Sequence, residues 1–204
     1  MGLDQYLNIV ITTDKTTASR QEINNIAQKL NTLLPNYSFN NQYSPSYLDN
    51  DDMISEFDLD PIYDIDGNST NRYELLTVKH TEYSYRKANQ IQNYFETKFY
   101  NTNPDETYNC INTVLDDADV DILLNKINLI MSQPTMEDKQ RYAKRLLPTV
   151  DGFFYGSTDY DQDYFDDIAS FSEQLQYLNK LRNQIDHVMT DRPFSVELIY
   201  SSWW

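Results

Sequence analysis

The chain has 204 residues, and 32 Asp plus Glu against 16 Lys plus Arg give it a formal charge of −16 at pH 7. That balance argues against direct nucleic-acid binding, which needs clustered Lys and Arg to neutralise phosphates. The 9 Phe, 17 Tyr and 2 Trp beside many Ile and Leu argue against intrinsic disorder. A lone cysteine, Cys110, leaves no internal disulfide framework, and no apolar run approaches the roughly 20 residues of a membrane helix.

From these bounds one cytoplasmic domain over 1–204 is expected. Leu3 to Thr13, "LDQYLNIVITT", is β-branched and partly alternating, which predicts a strand. Ser19 can cap a helix in which Ile23, Ile26 and Leu30 recur at helical spacing and which Pro35 ends. Residues 36–72 are rich in Asn, Ser, Asp and Tyr without a sustained period, so a long polar loop or insertion is expected. Within them Asp66-Gly67 signals a turn, and "RYELLTVKHTE" after it predicts a strand, so the two flanks suit a hairpin. Tyr83 to Tyr100 reads as an amphipathic helix with Ala88, Ile91, Phe95 and Phe99 on one face, stopped at Asn103-Pro104.

Asp116 or Asp117 can cap the next helix, whose stripe is Val120, Leu123, Leu124, Ile127, Ile130 and Met131. A short basic segment, "EDKQRYAKRLL", ends at Pro148. A long helix over about Asp159 to Met189 turns Phe165, Ile168, Phe171, Leu175, Leu178 and Ile185 inward. The chain closes on a strand, "PFSVELIYSSWW", expected beside the first. The fold class predicted is α+β, with a small, mostly antiparallel sheet that includes both terminal strands and helices packed on one face.

The stretch Leu146 to Asp167 holds Gly152, Gly156, Ser157, Thr158 and six carboxylates. Thr158 with Asp161 three residues on predicts a capping box, and the glycines permit the preceding turn. A helix start can also hold an anion. Here Asp159, Asp161 and Asp163 occupy that end, so a cation or a basic partner is the better visitor. Arg86, Lys87 and Asn89 form a compact basic polar group beside aromatics. On a helix Arg86 and Asn89 share a face, suited to a phosphate or nucleotide, or to an ion pair between Arg86 and an aspartate. His80, His187 and Cys110 lack neighbours at metal-ligand spacing, and no metal or cofactor is expected. "DLDPIYDIDGN" is oxygen-rich, but Gly67 at the sixth position of a calcium loop would put Ile62 first and Tyr73 last, where carboxylates belong.

Carboxylates gather in three blocks free of Lys and Arg: Asp49 to Asp66, Asp105 to Asp121 and Asp151 to Asp167. Such blocks can be solvated faces, or a surface imitating the phosphates of a nucleic acid.

"MGLDQYL", "YRKANQIQNYF", "LLPTVDGFFYGSTDYDQDYFDDI" and the terminal "YSSWW" together resemble a family of small bacteriophage and prophage proteins, over about half the chain. Residues 36–72 lie outside the likeness. In that family Trp commonly precedes the Arg-Lys pair and His follows the Asn; here Tyr85 and Gln92 hold those places. The resemblance implies a genetic context rather than a chemistry.

In that context binding outranks catalysis. The expected function is that of an acidic accessory protein in the host cytoplasm. It would engage and inhibit a basic host protein, such as a nuclease or other defence component, through Asp58, Asp60, Asp64, Asp66, Asp159, Asp161, Asp163, Asp166 and Asp167. The alternative is a small enzyme or sensor that binds a phosphorylated or nucleotide ligand through Arg86, Lys87, Asn89, Ser157 and Thr158. It requires the "YRKAN" and "GFFYGST" stretches to converge. Oligomeric state is left open.

Overall fold

A computed structural model describes residues 2–13, 17–35, 38–40, 53–55, 61–79, 83–188 and 194–204. The N-terminal strand β1 (Asp4–Thr13) and the C-terminal strand β9 (Phe194–Trp203) pair antiparallel along their whole length, from Asp4↔Trp203 to Thr13↔Phe194. Opposed residues share a face, so Leu7 with Tyr200, Ile9 with Leu198 and Ile11 with Val196 form one apolar layer. Ile9-Val10-Ile11 and Leu198-Ile199-Tyr200 are buried without a break, the mark of strands covered on both sides.

The sheet closes on itself. Strand β8 (Asn112–Leu115) lies antiparallel to β9, and β5 (Pro61–Tyr63) runs parallel to β8. Strand β6 (Ser69–Lys79) forms a hairpin with β5 and returns to the far edge of β1, with a register shift between Ile11 and Thr12. The hairpin turn carries Gly67 at φ +82°, and the Asp64 carboxylate accepts the backbone N–H groups of Asp66 and Asn68. The fold is therefore α+β as expected, and its described strand pairings are antiparallel except β5–β8, but the sheet closes into a mixed barrel instead of being simply a small antiparallel sheet. Closure depends on β5, three residues from the stretch expected to be a polar loop. That stretch also contributes β3 (Ser38–Asn40), paired with β6, and β4 (Met53–Ser55), paired with β2 (Thr17–Ser19). A strand of three residues is too short to show a period.

Inside the barrel a small cluster of Val10, Ile62 and Ile199 packs with Val114. On the same face Arg72 pairs with Glu197, and Asn112 Nδ2 donates to Glu74 at 3.2 Å. The helices cover the outer layer. Helix α1 (Arg20–Leu33) follows Ser19 and buries Ile26 and Leu30. Helix α2 (Asn89–Thr102) buries Ile91, Phe95 and Phe99; Phe95 stacks on Tyr200 with centroids 3.9 Å apart. Helix α3 (Asp117–Met131) starts in a capping box between Asp116 and Asp119. The basic segment forms α4 (Met136–Leu146), capped by Thr135. Helix α5 (Gln162–Val188) packs on α3, β9 and β1, and all six of its expected inward residues are buried.

One helix is shorter than expected. Tyr83–Arg86 is strand β7, paired with Asp4–Leu7 of β1, and the chain breaks at Lys87, φ +64°, before α2 begins. Arg86 and Asn89 therefore do not share a helical face. Ala88, Ile91, Phe95 and Phe99 are buried as expected. No described helix is long and apolar enough to cross a membrane.

Candidate functional site

Three distant stretches meet where β7 ends. The Lys87 N–H donates to the Leu3 carbonyl at 3.0 Å, and the Leu3 N–H donates to the Phe154 carbonyl at 3.1 Å. Gln5 grips the same corner, accepting the Ala88 N–H on Oε1 (2.9 Å) and donating from Nε2 to the Ala88 carbonyl (3.0 Å). The C-terminus joins through Trp204, which stacks on Phe154 at 6.0 Å. The N-terminus, the β7–α2 corner, the loop before α5 and the C-terminus thus assemble side by side.

The polar edge of α2 holds the loop before α5. Asn89 Nδ2 donates to the Ser157 carbonyl, its Oδ1 accepts the Val150 N–H, and Asn93 Nδ2 donates to the Pro148 carbonyl at 2.8 Å. Gly156, at φ +86°, turns the loop directly over Lys87. Helix α5 then starts at Gln162 with Asp161 as its cap: the Asp161 carboxylate accepts the Tyr164 N–H at 3.1 Å. The expected Thr158 capping box does not form. Ser157 Oγ instead accepts the Asp159 N–H at 3.0 Å, and the Thr158 carbonyl accepts from Thr149 Oγ1, which places Thr158 three residues too early to cap.

These segments enclose a cavity of about 340 Å³. Arg86, Lys87 and Gln90 line one side, Gly156, Ser157 and Tyr164 another, and Asp159, Asp161, Asp163, Asp166 and Asp167 the rest. Five carboxylates face two cations, so the cavity is formally negative. Asp163, Asp166 and Asp167 share one face because they are spaced i, i+3 and i+4 on α5. Burial raises the pKa of Asp167 first, and Asp163, Asp166 and Asp161 add to the rise, while the Gln90 side chain offsets part of it. Arg86 pairs with Asp4 at 3.7 Å in an exposed contact.

Behind the cavity runs a buried polar chain. Gln5 Nε2 donates to the Tyr200 hydroxyl (2.9 Å), that hydroxyl to Gln92 Oε1 (2.8 Å), Gln92 Nε2 to Glu96 Oε1 (2.9 Å), and the Tyr155 hydroxyl to the same Glu96 oxygen. Glu96 is 6% exposed. Burial raises its pKa, against the hydrogen bonds from Tyr155 and Gln92, which lower it.

Of the residues expected to bind a phosphorylated ligand, the structure brings Arg86, Lys87 and Ser157 to the cavity; Asn89 is committed to backbone groups, and Thr158 lies off the lining. Of the expected acidic surface, five aspartates line the cavity. Asp64 and Asp66 sit in the β5–β6 turn, where Asp66 pairs with Lys98 at 3.8 Å. Lys98 is eight residues, about 12 Å, along α2 from Gln90, so these aspartates stand apart from the cavity. Asp58, Asp60 and His80 lie outside the described residues. Cys110 is exposed, and among the described residues no group of three or more His, Cys, Asp or Glu is arranged to hold a metal ion. Gln90 was not singled out in the sequence, because an amide inside a helix has no signature of its own. A wider groove of about 740 Å³ between α3 and α5 is lined by Leu124, Lys180, His187 and four amide side chains, without a concentration of charge. No family model, curated protein or solved structure matches the chain.

Proposed function

We propose that this protein is a bacteriophage or prophage accessory protein that binds a basic host protein in the host cytoplasm, and that the aspartate-lined cavity receives a cationic group of that partner. The observation that carries this reading is the convergence of Asp159, Asp161, Asp163, Asp166 and Asp167 on one cavity. Half-enclosed carboxylates attract a cation more strongly than scattered surface charges do. A local cavity also suits capture of basic side chains better than imitation of an extended phosphate ladder. The resemblance to phage proteins supplies the context in which modulation or inhibition of a host or defence factor is the role.

Affinity capture from bacterial lysate tests it. The wild-type protein should retain a basic protein at low salt and release it as salt screens the charges, and Asp163→Asn with Asp166→Asn and Asp167→Asn should lose it. Retention of the same proteins by the triple variant would refute the reading.

Arg86, Lys87 and Ser157 in the same cavity favour a second reading, a nucleotide or phosphorylated ligand. The five carboxylates oppose it electrostatically. A thermal shift with ATP, GTP or a cyclic nucleotide that vanishes in Arg86→Ala with Lys87→Ala would put this reading ahead.

A further inference from the structure

Helix α4 carries Lys139, Arg141, Lys144 and Arg145, four of the 16 Lys and Arg of the chain, and no carboxylate follows Asp138 until Asp151. Arg141, Lys144 and Arg145 are exposed and share one face, spaced i, i+3 and i+4. Arg141 pairs with Asp138 of its own helix at 2.6 Å, whereas Lys139, Lys144 and Arg145 have no carboxylate partner among the described residues. Aromatic rings hold two of them instead. The Arg145 guanidinium lies 4.8 Å from the centroid of the Tyr142 ring, and the Lys144 ammonium 5.4 Å from that of Tyr160. In a chain with 32 Asp and Glu to 16 Lys and Arg, cations that are seated yet unpaired form a face complementary to an anionic surface.

Such a surface lies beside it on the same chain. Gln140 Nε2 donates to the Tyr160 carbonyl at 2.8 Å and the Tyr164 hydroxyl to the Leu147 carbonyl at 2.8 Å, so α4 stands against the start of α5, where Asp159, Asp161, Asp163 and Asp166 are exposed. Within one chain Lys139, Lys144 and Arg145 make no ion pair with these aspartates. We propose that two copies of this chain associate about a two-fold axis, the basic face of α4 in each copy lying on the exposed aspartates at the start of α5 in the other. Because the two surfaces are neighbours of opposite sign, a single axis forms both contacts at once. Self-association goes beyond the binding of a host protein and does not rest on it; where both occur, they compete for Asp163 and Asp166. Two copies at −16 each repel at long range, but at about 0.1 M salt that repulsion is screened beyond roughly 10 Å, while charges in direct apposition are screened less. Exposed ion pairs are individually weak, so the dimer is a weak and reversible one.

The test is sedimentation equilibrium of the full chain, at protein concentrations up to about 1 mM, with two charge-reversed variants: Lys144→Glu with Arg145→Glu, and Asp163→Lys with Asp166→Lys. The wild type should be dimeric at about 0.1 M salt and monomeric at about 1 M. Each variant alone should associate at least about tenfold more weakly. An equimolar mixture of the two should restore a heterodimer, because both contacts then join opposite charges again. Carbodiimide crosslinking of mixed ¹⁴N- and ¹⁵N-labelled wild type gives a measurement that needs neither variant to fold: Lys139 or Lys144 should be joined to Asp159, Asp163 or Asp166 in mixed-isotope peptides. A wild type that is monomeric at about 0.1 M salt, or still dimeric at about 1 M, would overturn the proposal. So would a mixture that stays monomeric although both variants melt cooperatively. Either variant dimerising as tightly as the wild type, or a dimer without those crosslinks, would overturn the choice of surfaces. The α4 variant keeps every cavity aspartate, so it should still retain a basic host protein, and loss of the dimer without loss of that capture separates the two roles.

Discussion

Gly156 lies so close to Lys87 that a Cβ added to the glycine would stand 2.9 Å from the Lys87 Cβ, and both residues have positive φ, +86° and +64°. The loop before α5 is therefore fitted, through the bare backbone of Gly156, against the Lys87 side chain at the corner where β7 ends. Gly156→Ala should cost about 1–3 kcal/mol from left-handed strain alone, with a further cost as Lys87 is displaced. Lys87→Gly should relieve strain, with stability unchanged or raised by up to about 1 kcal/mol. Chemical denaturation of the two variants checks the pair of opposite signs.

The cap of α5 offers a second test. Asp161→Ala removes the acceptor of the Tyr164 N–H and should cost about 0.5–2 kcal/mol. Thr158→Ala, exposed and off the helix, should change stability by no more than about 0.5 kcal/mol. A larger loss at Thr158 than at Asp161 in thermal melts would move the helix start back to where the sequence pattern put it.

Acidity should stabilise the protein through three carboxyl groups. Burial raises the pKa values of Glu96, Asp119 and Asp167 above their ordinary values. Between the unfolded and folded pKa of each group the native state holds the proton more often, so stability falls as pH rises through that window. Their contribution is complete below the ordinary carboxyl range and lost towards neutral pH. Glu96→Gln keeps an oxygen to accept from Tyr155 and Gln92 while removing the buried charge. It should melt higher than wild type at pH 8 and converge with it on acidification. A variant that melts lower at pH 8 would contradict the raised pKa.

Phe153 is 96% exposed, at the tip of the turn whose next residue, Phe154, stacks on Trp204. Exposed aromatics beside a charged site are frequent anchors of protein interfaces. Phe153→Ala should leave the melting temperature within a degree or so, since surface changes of this kind are worth at most about 0.5 kcal/mol, and should weaken retention of the basic partner. Unchanged retention would confine recognition to the cavity.

Much of this molecule is written in local pattern. The stripes of α3 and α5, the Asp116 cap, the Asp66-Gly67 turn and the two terminal strands follow from periodicities and backbone preferences that need no distant partner. The acidity of the cavity is local as well, because Asp163, Asp166 and Asp167 fall on one face of any helix they form. Tertiary structure decided the rest. Tyr83–Arg86 became a strand because the first half of β1 offered an unpaired edge, and hydrogen bonding to that edge outweighed a helical spacing that begins in earnest only at Ala88. Barrel closure came from Pro61–Tyr63, three residues whose strand character exists only between β6 and β8. Asn89 was drawn from ligand candidate to scaffold by the carbonyl of Ser157, and Gln90 joined the lining of the cavity. Backbone pairing between residues 84 and 151 positions apart, Leu3 with Lys87 and Leu3 with Phe154, leaves no trace in the neighbourhood of either partner. Local sequence therefore set the elements and their charge, while the packing of Leu3, Lys87 and Phe154 against one another decided where that charge is enclosed.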